Sequence, residues 1–238
     1  MTGPIPTPPL PGGGDGVPVV AHGGRPAPDG GLFLALEGGD GAGKSTQADR
    51  LGAWLAGHGH EVVRTREPGG TALGRSLREL VLHGEDGSVV PRAEALIFAA
   101  DRAQHVATVV RPALERGAVV VSDRYLDSSV AYQGAARALG HEEVRALSLW
   151  AVEGLLPDLT ILLDVDPGEG RARRGAQHDR LEREADSFHD RVRQGFLALA
   201  AQEPDRYLLL DASRPADELA EEVRARVDVL LRSPEGAP

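Results

Sequence analysis

Several features that would define other protein classes are missing from this sequence. It contains no cysteine, so disulfide bonds and thiolate metal sites are excluded, which is compatible with a reducing compartment. No apolar run approaches the roughly 20 residues that a membrane span requires. The N-terminus also lacks the basic segment and the apolar stretch of a secretory signal. We therefore expect a cytoplasmic chain with no membrane partner.

An excess of positive charge is missing as well. Acidic residues number 36 against 26 Lys and Arg, and the formal net charge is −10. General nucleic-acid binding needs a basic face, so we expect no nucleic-acid partner, although a few local arginines could still hold a small anion. The length of 238 residues suits one α/β domain with a full core, and a second large domain would be cramped.

The first 30 residues differ in composition from the rest of the chain. About half of them are Gly or Pro, and such a segment buries too little surface to offset its ordering entropy. We expect a disordered extension over 1–30, one folded domain over 31–233 and a flexible tail over 234–238. A proline-rich docking tail and a mis-assigned translation start are alternatives for the extension.

Short apolar runs alternate with helical patterns from residue 32 onward. Alternation of this kind predicts βαβ crossovers, a parallel sheet of five strands and helices on both of its faces. Pro112 should kink or break the third helical pattern. The predicted strands are 32–37, 61–65, 118–123, 159–165 and 206–211, and the helical patterns are 45–58, 70–82, 91–117, 127–154, 187–202 and 215–232.

The stretch EGGDGAGKST, residues 37–46, fits the P-loop pattern between a predicted strand and a predicted helix. Its backbone N–H groups should surround the phosphates of ATP, Lys44 should reach the β- and γ-phosphates, and Ser45 should face Mg²⁺. Asp40 is unexpected in such a loop, because an acid should repel phosphate. The predicted ATP-binding residues are Gly38, Gly39, Asp40, Gly41, Ala42, Gly43, Lys44, Ser45 and Thr46.

A P-loop fixes the donor as a nucleoside triphosphate but leaves the acceptor open. Phe98 and Arg102, in FAADRAQH, share one helix face and could stack on a base and bond its edge, or be a core ring beside a surface arginine. Asp123 ends a buried strand, as a Mg²⁺-binding carboxylate does, and the adjacent Arg124 suits an acceptor phosphate. A strand-end ion pair is the simpler alternative.

Five stretches together resemble bacterial thymidylate kinases: EGGDGAGKST, TREPGGT (65–71), FAADRAQH (98–105), SDRYLDSSVAYQG (122–134) and DRLE (179–182). The resemblance implies phosphoryl transfer from ATP to dTMP, giving dTDP and ADP, with Mg²⁺, in a homodimer of P-loop fold. Two alternatives stay open: a P-loop kinase for another nucleoside monophosphate or a deoxynucleoside, and a non-enzymatic nucleotide-switch ATPase.

The resemblance also implies roles around the nucleoside. Phe98 would stack on thymine, and Arg102 would bond its O4. Ser129 would lie near N3, while Tyr132 would occupy the place of a 2′-hydroxyl and so favour deoxyribose. Asp40 would accept a hydrogen bond from the 3′-hydroxyl of the acceptor.

The acceptor phosphate would be held by Arg124, with Glu67 and Arg78 lining the same pocket. No protein base is needed, because the acceptor phosphate is largely dianionic near pH 7. The dTMP-binding residues implied in this way are Asp40, Glu67, Arg78, Phe98, Arg102, Arg124, Ser129 and Tyr132.

Residues 39–42 of the P-loop offer no arginine to stabilise the transition state. The arginine-rich segment GRARRGAQHDRLE, 170–182, therefore predicts a closing lid at about 168–183. We expect Arg174 to be the catalytic arginine, with Arg171 next, beside Lys44, Asp40 and Arg124. A solvated charged helix is the alternative for this segment.

Overall fold

The computed structural model describes residues 30–83, 88–173 and 179–232. The expectations for 1–29 and for 233–238 fall outside these ranges, and so does the prediction for Arg174. No helix in the described ranges is long and apolar enough to cross a membrane.

Five parallel strands form one sheet in the order β2-β3-β1-β4-β5, as the alternation of strands and helices predicted. The central strand β1 pairs with β3 on one side and with β4 on the other. Every residue of β1 is buried, which explains its continuous apolar run. The strands are β1 (Leu32–Gly38), β2 (Val62–Arg66), β3 (Val119–Asp123), β4 (Leu159–Asp164) and β5 (Tyr207–Asp211).

Helices cover both faces of the sheet. Alternate residues of β1 enter two separate cores: Phe33 belongs to one and Leu34 to the other. The α-helices in the described ranges are α1 (Lys44–Gly57), α2 (Ala72–Leu82), α3 (Pro91–His105), α4 (Arg111–Glu115), α5 (Leu126–Ser129), α6 (His141–Ala151), α7 (Pro167–Arg173), α8 (Asp186–Gln202) and α9 (Ala216–Arg232).

The two longest helical patterns are interrupted. The pattern over 91–117 is helical but changes type: a π-helical segment, Val106–Val110, separates α3 from α4, which begins next to Pro112, where a kink or break was predicted. Pro112 has no N–H to donate to the carbonyl of Thr108, which prevents regular α-helical bonding there. The pattern over 127–154 is divided too: α5 leads into a second π-helical segment, Val130–Ala136, and a turn with positive φ at Ala138 and Gly140 separates that segment from α6.

The topology places three strand ends at one edge of the sheet. Asp123, the last residue of β3, lies level with Leu36 of β1 and with Arg66 of β2. The P-loop follows β1, and Glu67 and Arg124 directly follow their strands. Ligands of open parallel sheets bind at this carboxyl edge.

The last part of the segment predicted to be a lid is anchored to α2 and α3. Arg180 is buried, forms an ion pair with Glu94 of α3, and donates from Nε to the carbonyl of Val81 at 2.9 Å. Glu94 is also buried and accepts from Gln133 at 2.9 Å and from Arg137 at 3.3 Å. The Arg180 side chain is therefore part of the packed structure rather than of a mobile lid.

Glu94→Ala should lower the free energy of unfolding by about 3–5 kcal/mol, because the buried guanidinium of Arg180 would lose its partner. Urea unfolding measures this loss. Glu222→Ala is a matched control, because Glu222 pairs with Arg214 on the exposed surface. Equal unfolding midpoints for the two variants would contradict the anchoring role of Glu94.

Candidate active site

The P-loop connects the end of β1 to the first turn of α1. Gly38 and Gly41 have φ values of 134° and 81°, which a residue with a side chain adopts only under strain. Lys44 begins α1, and its Nζ donates to the carbonyls of Gly38 at 3.2 Å and Gly39 at 2.7 Å. Burial, and next the nearby Arg124, lower the pKa of Lys44 to about 8. The ammonium group therefore stays mostly charged at pH 7, at the mouth of the loop.

The two predicted metal ligands lie together. Ser45 Oγ donates a hydrogen bond of 2.6 Å to Asp123 Oδ2. Hydroxyl and carboxylate oxygens are suitable ligands for Mg²⁺. This ion commonly takes only one or two protein ligands and completes its coordination shell with phosphate oxygens and water. Within the described ranges no group of three or more His, Cys, Asp or Glu side chains could hold a metal alone. The pair therefore fits a Mg²⁺ ion that arrives with a nucleotide.

Asp40 does not face the interior of the P-loop. Its carboxylate pairs with Arg124 and accepts a hydrogen bond of 3.0 Å from the hydroxyl of Tyr132. Arg124 also lies over the Tyr132 ring, 5.2 Å from its centroid. Burial alone would lower the pKa of Arg124, but Tyr132, Asp40 and Glu37 outweigh burial and raise it. The acid therefore connects the donor loop to residues predicted to bind the acceptor.

Arg102 is buried and held in one orientation. Its Nε donates to Glu67 Oε2 at 2.7 Å, and its Nη1 donates to Ser148 Oγ at 3.3 Å. Its Nη2 donates to the carbonyl of Tyr125 and to Ser129 Oγ, at 3.3 and 3.1 Å. Because a guanidinium carries five N–H groups, these bonds leave one donor for the pocket that the side chain lines.

Glu67 is held by a histidine that the sequence analysis did not select. His105 Nδ1 lies 2.8 Å from Glu67 Oε1, and its Nε2 lies 2.6 Å from Thr65 Oγ1. Burial would raise the pKa of Glu67, but Arg102 and His105 outweigh burial and hold it below its ordinary value. Glu67 is therefore an ionised positioning group, and its oxygens are engaged by Arg102 and His105.

A cavity of about 150 Å³ adjoins the P-loop. All eight side chains predicted to bind the acceptor line this cavity, including Phe98, Arg78 and Ser129. Eight further residues line the cavity that were not predicted from the sequence: Pro68, Leu82, Tyr125, Ser128, Gln133, Asp179, Leu181 and Glu182.

Some of these additional pocket residues could have been identified from the sequence, and others could not. Ser128 lies beside Ser129 in a motif already selected, and Asp179 and Glu182 lie in DRLE. Leu82 and Leu181 resemble ordinary core residues in sequence. Their place in the pocket depends on the docking of residues 179–182 onto α2, where the N–H of Arg180 donates to the carbonyl of Leu82 at 3.0 Å.

Tyr132 is held rigidly at the wall of the pocket. Its ring meets Phe188 and Phe196 of α8 edge-on, with ring centroids 6.1 and 6.3 Å apart. Edge-to-face contacts between aromatic rings favour one ring orientation, in addition to the stabilisation that burial gives. The hydroxyl of Tyr132 is consequently kept within reach of Asp40.

The arginines of the lid segment are paired with other groups where the structure describes them. Arg171 forms an ion pair with Asp186, and Arg173 donates to the carbonyl of Ala212 at 2.8 Å. A side chain at Gly41 would overlap the carbonyl of Gly170 in α7. Helix α7, at the start of the predicted lid, therefore packs directly on the P-loop at a position where a side chain has no room.

A P-loop that adjoins a pocket with one buried arginine, one partly buried arginine and an aromatic wall defines a nucleotide-dependent phosphotransferase with a small, anionic, ring-containing acceptor. The family model for thymidylate kinase matches residues 36–223. The chain belongs to the thymidylate kinase family.

Individual relatives agree with the family match. The thymidylate kinase of Leifsonia xyli subsp. xyli is 67% identical over 201 residues, which cover 83% of this chain and 95% of the relative. The thymidylate kinase of Clavibacter sepedonicus is 62% identical over 84% of this chain and 96% of its own length. That of Deinococcus radiodurans is 54% identical, with 83% and 96% coverage.

Proposed function

We propose that this chain transfers the γ-phosphoryl group of ATP to dTMP, giving dTDP and ADP. Family membership supports the activity, and one observation supports its location: Asp40, in the donor loop, pairs with Arg124 and Tyr132, which line the acceptor pocket. Donor and acceptor sites therefore share a wall.

Arg102 reads the base in this proposal. The N–H that its described bonds leave over is a donor, so it suits the O4 acceptor of thymine and opposes the amino group that cytosine carries at the same ring position. Ser129 Oγ already accepts from Arg102, and its hydroxyl can still bond the N3 side of the base. Phe98, buried on the same helix and lining the pocket, would stack on the ring.

Arg124 would hold the acceptor phosphate. Its Nη1 donates to the carbonyl of Gly38 at 3.1 Å, so the guanidinium lies against the P-loop while it lines the acceptor pocket. Arg78 adds a second cation, oriented by a bond of 3.1 Å from its Nη1 to the carbonyl of Pro68. Charge-assisted bonds of this kind bring the two phosphates together despite their mutual repulsion.

Asp40 would accept a hydrogen bond from the 3′-hydroxyl of the sugar. A carboxylate has about four lone-pair sites, so it can serve the sugar as well as Arg124 and Tyr132. The fixed ring of Tyr132 would fill the space of a 2′-hydroxyl and favour deoxyribose by its bulk. No side chain needs to act as a base, because the acceptor phosphate is already an anion.

We also propose that Ser45 and Asp123 hold Mg²⁺ together with the donor phosphates, and that Lys44 binds the β- and γ-phosphates. When bound, Mg²⁺ neutralises charge that builds on the phosphate oxygens. The residues around it align donor and acceptor. An arginine of the lid would also stabilise the negative charge of the transition state, with Arg174 as the first candidate and Arg171 as the second. A P-loop side chain at position 41 could not take this role, because Gly41 leaves no room beneath α7.

A product assay tests the proposal. ATP and Mg²⁺ with dTMP should give ADP and dTDP in equal amounts, whereas ADP formation without dTMP should be much slower. ADP formed at the same rate with and without dTMP would contradict the proposal and favour an ATPase.

Asp40→Asn should lower kcat/KM for dTMP roughly tenfold to a hundredfold, because a bond to an ionised acceptor is replaced by a weaker neutral one. The KM for ATP should stay close to that of the unaltered chain, since Asp40 faces the acceptor side of the loop. Steady-state kinetics with each substrate varied in turn separate the two effects. Asp217→Asn, at an exposed acid paired with Arg50, is the control and should change neither constant.

We further propose that the chain is a homodimer. Exposed apolar side chains lie on neighbouring helices: Leu73 and Leu80 on α2, Leu96 on α3, and Trp150 on α6, which is 80% exposed. A second copy would cover this surface. Sedimentation equilibrium should give a mass twice that of the chain, and a monomer at all concentrations would contradict the proposal.

We also propose the cytoplasm as the compartment, because both substrates are charged and do not cross a lipid bilayer unaided.

A further inference from the structure

Glu37, immediately before the P-loop glycines, is a buried acid that the mechanism described above does not use. It lies in β1, is 0% exposed and points toward the turn after β3 rather than toward the phosphates. Its Oε1 accepts from the N–H groups of Tyr125 at 2.8 Å and Ser128 at 3.0 Å. Its Oε2 accepts from the Ser128 hydroxyl at 2.6 Å. All of these donors belong to the segment that begins with Arg124.

The backbone of Arg124 is in a conformation that needs support. Its φ is 73°, in the left-handed region that residues with side chains rarely occupy. The Arg124 N–H donates to the carbonyl of Leu36 at 2.9 Å, and its carbonyl accepts from Ser122 Oγ at 2.7 Å. Glu37 fixes two N–H groups in the residues that follow. Strained residues persist where surrounding bonds determine them in this way.

The Arg124 side chain is connected to Glu37 through Ser128. A serine hydroxyl has one hydrogen to donate, and here Glu37 takes it. The oxygen of the same hydroxyl is then left to accept, and Arg124 Nη1 donates to it at 3.1 Å. If Glu37 no longer accepted, the hydroxyl hydrogen could turn toward the guanidinium and repel it.

We propose that Glu37 is a positioning residue for the acceptor phosphate, which fixes both the backbone and the guanidinium of Arg124 through Tyr125 and Ser128. The inference rests on the proposed role of Arg124 in holding that phosphate. Glu37 itself does not line the acceptor pocket and acts only through its neighbours.

Burial, and next the carboxylate of Asp127, raise the pKa of Glu37 to about 7, although Arg124 and the bonds from Ser128 and Tyr125 oppose the shift. The other charged or titratable groups that it influences are Lys44 of α1 and Tyr207 of β5. A raised pKa means that the ionised form is the majority only above about pH 7. The support given to Arg124 should therefore weaken as the pH falls through this value.

Glu37→Gln tests the inference. The amide group would donate to Ser128 where the carboxylate accepts, so the KM for dTMP should rise about tenfold to a hundredfold. The KM for ATP should stay within about twofold, since the P-loop contacts of Lys44 do not involve Glu37. A residue that merely supports the loop before Gly38 would instead raise the KM for ATP as much as that for dTMP, and this result would overturn the inference.

A pH profile gives a second readout. The dTMP phosphate itself titrates near pH 6, so the useful quantity is the ratio of kcat/KM for dTMP between the unaltered chain and Glu37→Gln, in which the substrate cancels. The ratio should increase as the pH rises through about 7. A ratio that is large and constant with pH would show that the ionised form of Glu37 is not needed to position Arg124, and would overturn the inference.

Ser128→Ala keeps the test decisive if Glu37→Gln fails to fold. It removes the hydroxyl that joins Glu37 to Arg124 but leaves both backbone bonds to Glu37. The KM for dTMP should rise, Ser128→Thr should restore it, and an unchanged KM in Ser128→Ala would overturn the inference.

A double-mutant cycle separates this inference from the proposed function. Once Arg124 is replaced by Ala, Glu37→Gln should cause little further loss, because coupled residues are not additive. If Arg124→Ala leaves the KM for dTMP unchanged, the role of Arg124 fails. If Arg124→Ala raises that KM and Glu37→Gln does not, only the inference about Glu37 is wrong.

Discussion

Arg124→Ala should lower kcat/KM for dTMP about a thousandfold, the largest loss that we expect from an arginine in the described ranges. The side chain lies against the P-loop carbonyl of Gly38, pairs with Asp40 and lines the acceptor pocket, so one substitution removes the group proposed to join the two substrates. The KM for ATP should change little. Steady-state assays that vary ATP and dTMP separately measure both quantities.

Two further substitutions make the result for Arg124 specific. Arg124→Lys keeps the charge but not the planar fork that contacts Gly38, Ser128 and Asp40, so most of the activity should still be lost. Arg116→Ala removes an exposed arginine paired with Glu61 and should behave as the unaltered chain. Activity of Arg124→Ala within about threefold of the unaltered chain would contradict the proposed role.

Arg102→Ala should have two large effects. The free energy of unfolding should fall by about 3–5 kcal/mol, because buried Glu67 would lose the guanidinium of Arg102 and keep only its contact with His105. The KM for dTMP should rise about a hundredfold, and the preference for dTMP over dCMP should shrink, because the donor that distinguishes the two bases is gone. Urea unfolding and paired acceptor assays below the unfolding temperature measure these effects.

A double substitution separates stability from recognition at Arg102. In Arg102→Met with Glu67→Gln no buried charge is left unpaired, and the amide oxygen introduced at position 67 can still accept a hydrogen bond from His105 Nδ1. This variant should recover much of the lost stability without recovering the preference for dTMP. Recovery of both the stability and the preference for dTMP over dCMP would contradict a role of Arg102 in recognising the base.

Most of the site was predictable from sequence because its motifs lie at the ends of strands. Once β1, β2 and β3 are parallel neighbours, Asp40, Glu67 and Arg124 must meet at one edge of the sheet. The pairing of Ser45 with Asp123, 78 residues apart, follows from the same topology. The prediction that Asp40 serves the acceptor side agrees with its contacts to Arg124 and Tyr132.

The supporting network could not be predicted in the same way. Glu37 and Ser128 are 91 residues apart, and nothing in either position specifies that a buried carboxylate turns toward α5. In sequence His105 is an ordinary residue inside the helical pattern 91–117, and only the structure places its ring between Glu67 and Thr65. Arg180 reads as a lid cation, yet Glu94 holds it in the core. Such pairs depend on tertiary packing, which periodicity does not encode.

The most direct test of the account is the ratio of kcat/KM for dTMP to that for dCMP at fixed ATP and Mg²⁺. A pocket that presents a buried, oriented donor from Arg102 should reject a base carrying an amino group at that ring position, so dTMP should be favoured by about a thousandfold or more. Equal values for the two acceptors would contradict the account.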